Sequence, residues 1–138
     1  MKLGAFSLKT GGLEVEGVPP IEEWEELLAT LIWFSRNHPW WIGDLVRFGE
    51  ARFGQNFYNA LVGDATVVDM ISRHAGVAKQ IPPSQRDREL SWTHHREVVK
   101  LNPKERQLVF EYAKRNGIAS GKMRKAVEAV RARRSASM

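Results

Sequence analysis

Asn102-Pro103-Lys104-Glu105, carried on through Leu108, Val109, Tyr112 and Ala113 and closed by Asn116-Gly117-Ile118, is the stretch that decides the fold. Asn102 is a good helix N-cap. Proline at the first helical position gives up an N–H that has no partner there, and Glu105 at the third completes a capping-box pattern. Asn116-Gly117 is a C-cap pair, since glycine takes the left-handed conformation without strain. Ser120 then starts a last helix to about Arg133, and residues 135–138 should fray. The unit predicted is helix, tight turn, helix. Ala113 takes its small position and Gly117 its turn position. Ile118 and Met123 point inward, and Lys122, Arg124 and Lys125 point outward.

The same reading extends towards the N-terminus. Ser91 caps a helix ending near Leu101, preceded by a polar loop, 84–90, that holds Arg86 and Arg88. Pro82-Pro83 ends a helix running from about Thr66 to Gln80. Gly63-Asp64 is a tight turn, and a short helix spans about 55–62. Residues 55–80 are thus a second segment of helix–turn–helix shape. Its small position is Ala60, Ala65 and Met70 face inward, and Thr66, Asp69, Ser72, Arg73 and Lys79 are displayed. Such a helix fits the major groove, where polar side chains reach base edges and phosphates.

Further forward, Pro39 starts a helix containing Trp40, Trp41, Leu45, Phe48 and Phe53 and stopped by Gly54. A separate helix before it, ended by Asn37-His38-Pro39, places Ile21, Trp24, Leu28 and Leu31 on one face. Glu22, Glu23, Glu25 and Glu26 crowd its first turns, where the helix dipole favours them. Phe6 and Leu8, then Leu13 and Val15, alternate with polar residues about Thr10-Gly11-Gly12. That pattern predicts a β-hairpin, which needs helices to cover its apolar face.

Charge separates the halves. Residues 1–65 hold five Lys and Arg against nine Asp and Glu, a net of −4, whereas residues 66–138 hold sixteen against seven, a net of +9. A strongly basic back half points to a polyanionic partner. There is no cysteine, which excludes disulfides and thiolate zinc sites and fits a reducing compartment. No apolar run approaches a membrane span, and the N-terminus lacks the apolar core of a signal peptide.

Catalytic signatures are missing: no phosphate-binding loop, nucleophile elbow or dinucleotide fingerprint. His94 and His95 are adjacent, so on a helix they point about 100° apart and cannot easily chelate one ion. One suits a helix-packing hydrogen bond, the other a phosphate or surface contact. Four of the five tryptophans lie in the acidic half, which favours core packing over base stacking.

Several segments together carry a resemblance: Pro39-Trp40-Trp41-Ile42-Gly43-Asp44-Leu45 with Phe48-Gly49-Glu50, then Val77-Ala78-Lys79-Gln80-Ile81, then Leu90-Ser91-Trp92-Thr93-His94-His95-Arg96-Glu97-Val98. From about Ile21 to Val130 the chain resembles the LmbU-type transcriptional regulators of actinomycete antibiotic clusters and their phage- and plasmid-borne relatives. The order of motifs is more remotely similar to the helix–turn–helix region of ParB-type partition proteins. The resemblance implies a regulator that binds duplex DNA. Met70–His74 and Ile118–Arg124 depart from the family pattern, so no DNA target carries over.

The expectation is a mainly α, compact domain of six to seven helices with a helix–turn–helix and a short N-terminal β-hairpin. It is a single DNA-binding domain over 1–138: hairpin 1–19, acidic helical support 20–53 and basic helix–turn–helix region 54–134. Thr66, Asp69, Ser72 and Arg73 would read bases. Lys79, Arg86, Arg88, His94, Arg96, Lys122, Arg124 and Lys125 would hold phosphates. The expected partner is double-stranded DNA, with a homodimer and RNA polymerase or another protein left open as further partners. No catalysis, cofactor, metal or membrane is expected, and the location expected is cytoplasmic. The rival reading is a non-catalytic adaptor docking on a polymerase or a phage component.

Overall fold

A computed structural model describes residues 1–54 and 65–136. The chain divides into two compact units, Met1–Ser35 and Arg36–Met138. Both contribute to one long helix, α1, Ile21–Phe53.

In the first unit, β1 (Lys2–Leu3), β2 (Phe6–Lys9) and β3 (Gly12–Val15) form an antiparallel sheet in that order. The expected hairpin is β2–β3, with Phe6 opposite Val15 and Leu8 opposite Leu13. Gly11, at φ 82°, makes the turn that only glycine enters without strain. The short β1 is an addition, held by the N-terminal ammonium donating to the Leu8 carbonyl (2.9 Å). Phe6 is buried, while Leu13 and Val15 remain exposed.

Helix α1 corrects the sequence reading. It runs unbroken through Pro39 for 33 residues, where two helices were expected. Proline inside a helix removes one hydrogen bond and crowds the carbonyl four residues back, a cost of about 3 kcal/mol. Pro39 is itself buried, as are Trp40 and Gly43 in the same turn. Burying that turn offsets a single lost bond. A second correction concerns which face is covered. Ile21, Trp24, Leu28 and Leu31, expected inward, are exposed, as are Trp33 and Trp41. Of the tryptophans, only Trp40 and Trp92 lie in the core.

The second unit continues with α2 (Ala65–Gln80), a 3-10 turn at Pro83–Gln85, α3 (Trp92–Arg96), α4 (Pro103–Asn116), a 3-10 turn at Ser120–Lys122 and α5 (Met123–Ala136). Five α-helices therefore stand among the described residues, fewer than expected. The expected helix 55–62 and turn 63–64, with Ala60, lie outside the described residues. The helix predicted from Ser91 to Leu101 stops at Arg96 and gives way to turns. Asn102 caps α4 as its sequence demands, Oδ1 accepting from the Glu105 N–H (2.8 Å), and Gly117 ends it at φ 59°. The Glu105 carboxylate turns away from the cap to accept from Arg131 Nε (2.7 Å).

Two hydrophobic clusters hold this unit. Val98, Val109, Phe110 and Ala113 pack against Met123, Ala126 and Val130, joining α4 to α5. Trp40, Val77, Ile81 and Trp92 join α1, α2 and α3. The His95 ring sits between the clusters, 5.0 Å from Trp40 and 4.6 Å from Phe110 between ring centroids. The second cluster depends on close approach of α1 and α2 at Gly43. A Cβ there would collide with the His74 carbonyl of α2 and press on the Ala78 methyl.

Gly43→Ala should therefore destabilise the protein by about 1–3 kcal/mol, the usual cost of overpacking. The check is a lower urea midpoint with an unchanged m-value. A midpoint equal to wild type would mean that α1 and α2 can move apart freely.

Candidate nucleic-acid interface

The residues expected to contact DNA fall into two groups once placed. One group is consumed by the fold. Arg86 directs both terminal nitrogens at the Asp44 carboxylate (2.9 and 2.8 Å), and its Nε donates to the Ile81 carbonyl (2.9 Å). Its guanidinium also stacks 4.0 Å from the centre of the Trp40 ring. These contacts commit Arg86 to bracing the loop 82–91. His94 is likewise spent. The Ser91 Oγ accepts from the His94 N–H (3.3 Å) and the Ser91 N–H donates to His94 Nδ1 (3.2 Å), a reciprocal capping box. With Nδ1 accepting, Nε2 donates to the Ile118 carbonyl (2.8 Å), tying the start of α3 to the turn before α5.

His95 is fully buried and fully satisfied. Its Nε2 accepts from the Asp87 N–H (2.9 Å), which leaves Nδ1 as the donor to the Ser91 carbonyl (2.7 Å). Burial lowers its pKa below the ordinary imidazole value of 6.5, and the hydrogen bond to the Ser91 carbonyl and the Asp87 charge oppose this only in part. Asp87 itself meets Lys114 of α4 at 2.7 Å. Burial would raise its carboxyl pKa, but the hydrogen bonds from Lys114 and the Glu89 backbone outweigh it and leave the value lowered. The loop 82–91 is thus fixed at Arg86, Asp87 and Ser91.

The second group faces outward. Arg73 and Lys79 on α2, Arg88 on the braced loop, Lys122 in the turn before α5 and Lys125 in the first turn of α5 are all exposed. The side chains of these five make no hydrogen bond or ion pair among the described residues. Asp69, Thr66 and Ser72 are exposed on α2 as expected, Thr66 and Ser72 with polar or ring contacts of their own. Ala65, expected inward, is exposed. Arg124 meets Glu128 one turn on at 3.4 Å, in an exposed pair that costs little to break. Arg96 is half-buried, paired with Glu97 (2.9 Å) and 5.5 Å over the Trp92 ring.

Sequence reasoning missed Arg106. It is buried, donating to Gln85 Oε1 and the Leu101 carbonyl (both 2.9 Å), with its Nε unpartnered. Its signal was its position one helical turn from Asn102, on the apolar side of α4 between Leu101 and Val109. Among the described residues no group of three or more His, Asp or Glu could hold a metal ion, and no helix is long and apolar enough to cross a membrane.

His74, like His95, is buried, and burial lowers its pKa too. Unfolding lets both take up protons at their ordinary value, so below it the unfolded state binds more protons than the native one. Stability should be level above pH 6.5 and fall as the pH drops through 6.5 towards the lower native values. Urea midpoints across that range test this, and a flat profile contradicts the burial of neutral imidazoles.

The chain is 28% identical over 128 residues to the transcriptional regulator NovE of Streptomyces niveus. The match takes in 86% of this chain and 59% of the relative, so the chain spans a little under three-fifths of that protein. No family model matches, and no solved structure does. The comparisons lend no support to the likeness to partition proteins.

Proposed function

We propose that the chain is a regulator of transcription that binds double-stranded DNA through its basic half. The observation that carries this reading is the division of its basic groups. Arg86, Arg106 and His94 are turned into the fold, whereas Arg73, Lys79, Arg88, Lys122 and Lys125 are exposed with no acidic partner among the described residues. In this reading Thr66, Asp69, Ser72 and Arg73 on α2 face base edges. Lys79, Arg88, Lys122 and Lys125 hold phosphates, with Arg96 and Arg124 able to join after releasing weak acidic partners. Two helices of the described chain, α4 and α5, pack about the turn at Gly117 and give a second helix–turn–helix candidate. The loop that carries Arg88 is fixed before DNA arrives, which lowers the ordering cost of binding.

The rival reading, an adaptor docking on a polymerase or a phage component, draws on the exposed apolar side of α1. The two separate by mutation. Arg73→Ala should weaken sequence preference in the DNA reading and leave function intact in the adaptor reading.

With about five phosphate contacts, log K should fall against log salt with a slope near −4.5. Lys79→Ala should lower that slope by about 0.9 without changing the sequence preferred. Arg73→Ala should remove about 1–3 kcal/mol of discrimination at one base pair. Selection from a random duplex pool at several salt concentrations measures all three. A response independent of salt, with nothing retained, overturns the reading.

A further inference from the structure

Among the described residues the buried polar side chains are His74, His95 and Arg106. The two imidazoles can shed their charge, whereas a guanidinium cannot. Arg106 is 3% exposed. Of its five N–H groups one serves Gln85 Oε1 and one the Leu101 carbonyl, and Nε makes no hydrogen bond. It has no carboxylate within ion-pair distance among the described residues, since the adjacent Glu105 reaches Arg131 instead. Burial lowers its pKa, and no acidic group opposes this. Arg86 differs, because Asp44 meets its charge. A charge withdrawn from water without a counter-charge is costly, and such groups gather at functional sites.

Arg106 lines a cavity of about 590 Å³ between the end of α2, the turns after α3 and the start of α4. Gln80, Gln85 and Asn102 bring side-chain amides to its wall, Lys100 a second cation, and Val99 and Leu101 apolar surface. Lys100 is exposed and makes no ion pair among the described residues. The lining described includes no Asp or Glu. The first turn of α4 adds the positive end of a helix dipole, which favours an anion. A second cavity that Arg106 borders, of about 350 Å³, is lined by Asp87, Glu89 and Glu111, which repel one.

We propose that the larger cavity binds a small organic anion that carries a carboxylate or phosphate group. The anionic group accepts from the Arg106 N–H groups that the fold leaves over, and Lys100 adds its charge from the rim. The amides of Gln80, Gln85 and Asn102 hydrogen-bond the remainder. The volume suits a metabolite-sized molecule, and a few placed polar groups in a concave wall are the usual make-up of such sites. A backbone phosphate of duplex DNA fits less well, because a stiff duplex meets exposed cations such as Lys79 and Arg88 before a buried one. The ligand spans the end of α2 and the start of α4, and so ties together the two segments of helix–turn–helix shape. That consequence rests on the DNA reading, whereas the site itself does not.

The test is nuclear magnetic resonance of the full chain, read at the arginine Nε–H signals. Sodium phosphate and sodium succinate are titrated separately against sodium chloride at equal ionic strength. The Arg106 signal should shift and saturate with at least one of the two, and which one identifies the anionic group. The Arg86 signal should stay in place, because its Nε is already bonded to the Ile81 carbonyl. Lys100→Ala, at an exposed position, should weaken binding roughly threefold with unchanged helical circular dichroism. Arg106→Lys keeps the charge but loses the planar fork, and should bind neither anion measurably. Should Arg106→Lys fail to fold, the wild-type and Lys100→Ala titrations decide. An unmoved Arg106 signal, or a shift that never saturates, overturns the proposal. So does an unchanged affinity in Lys100→Ala. A shift produced by duplex DNA and by neither small anion overturns it in favour of a backbone phosphate.

Discussion

The second unit depends on one guanidinium. Arg86 joins a carboxylate on α1, a carbonyl just past the end of α2 and the face of Trp40. Its planar fork is what lets one side chain do this. A lysine could meet the carboxylate as a point charge but could not bond in three directions within a plane. The Arg86 side chain is 12% exposed, so its charge is stabilised by these contacts more than by water. Loss of Asp44 would strand that charge, which costs more than the pair itself contributes.

Around it the local chemistry is consistent. Trp40 takes Arg86 on its face and the edge of His95 5.0 Å away. His95 fixes Asp87, and Asp87 fixes Lys114. Residues distant in sequence are thereby tied to a loop of few internal bonds. A polar loop becomes a defined platform because its buried donors and acceptors find partners in the helices.

Local signals were legible in the sequence. Asn102, Pro103 and Gly117 set the ends of α4, Ser91 set the start of α3, and Gly11 set the hairpin turn. What escaped were effects of distance. Nothing local says that Asp44 meets Arg86, 42 residues away, so Arg86 read as one more surface cation. The helix stop at Pro39 failed because tertiary burial overrode a local propensity. The apolar stripe of Trp24, Leu28 and Leu31 read as core because periodicity shows that a face is apolar and not what covers it. The motifs behind the family resemblance, Trp40-Gly43-Asp44 and Ser91-His94-His95, turn out to be scaffold. They forecast how the loop is held more directly than what the loop touches.

That division of labour bears on how such a protein can diversify. Trp40, Gly43, Asp44, Arg86, Ser91 and His95 are committed to one another, and a change in any of them spreads through the group. Arg73, Lys79, Arg88, Lys122 and Lys125 owe nothing to their neighbours. They can be exchanged singly with little thermodynamic penalty. Under the proposed function, new preferences can therefore be tried on an unaltered frame, and the rate of such trials is set by selection on the partner and hardly at all by selection for folding.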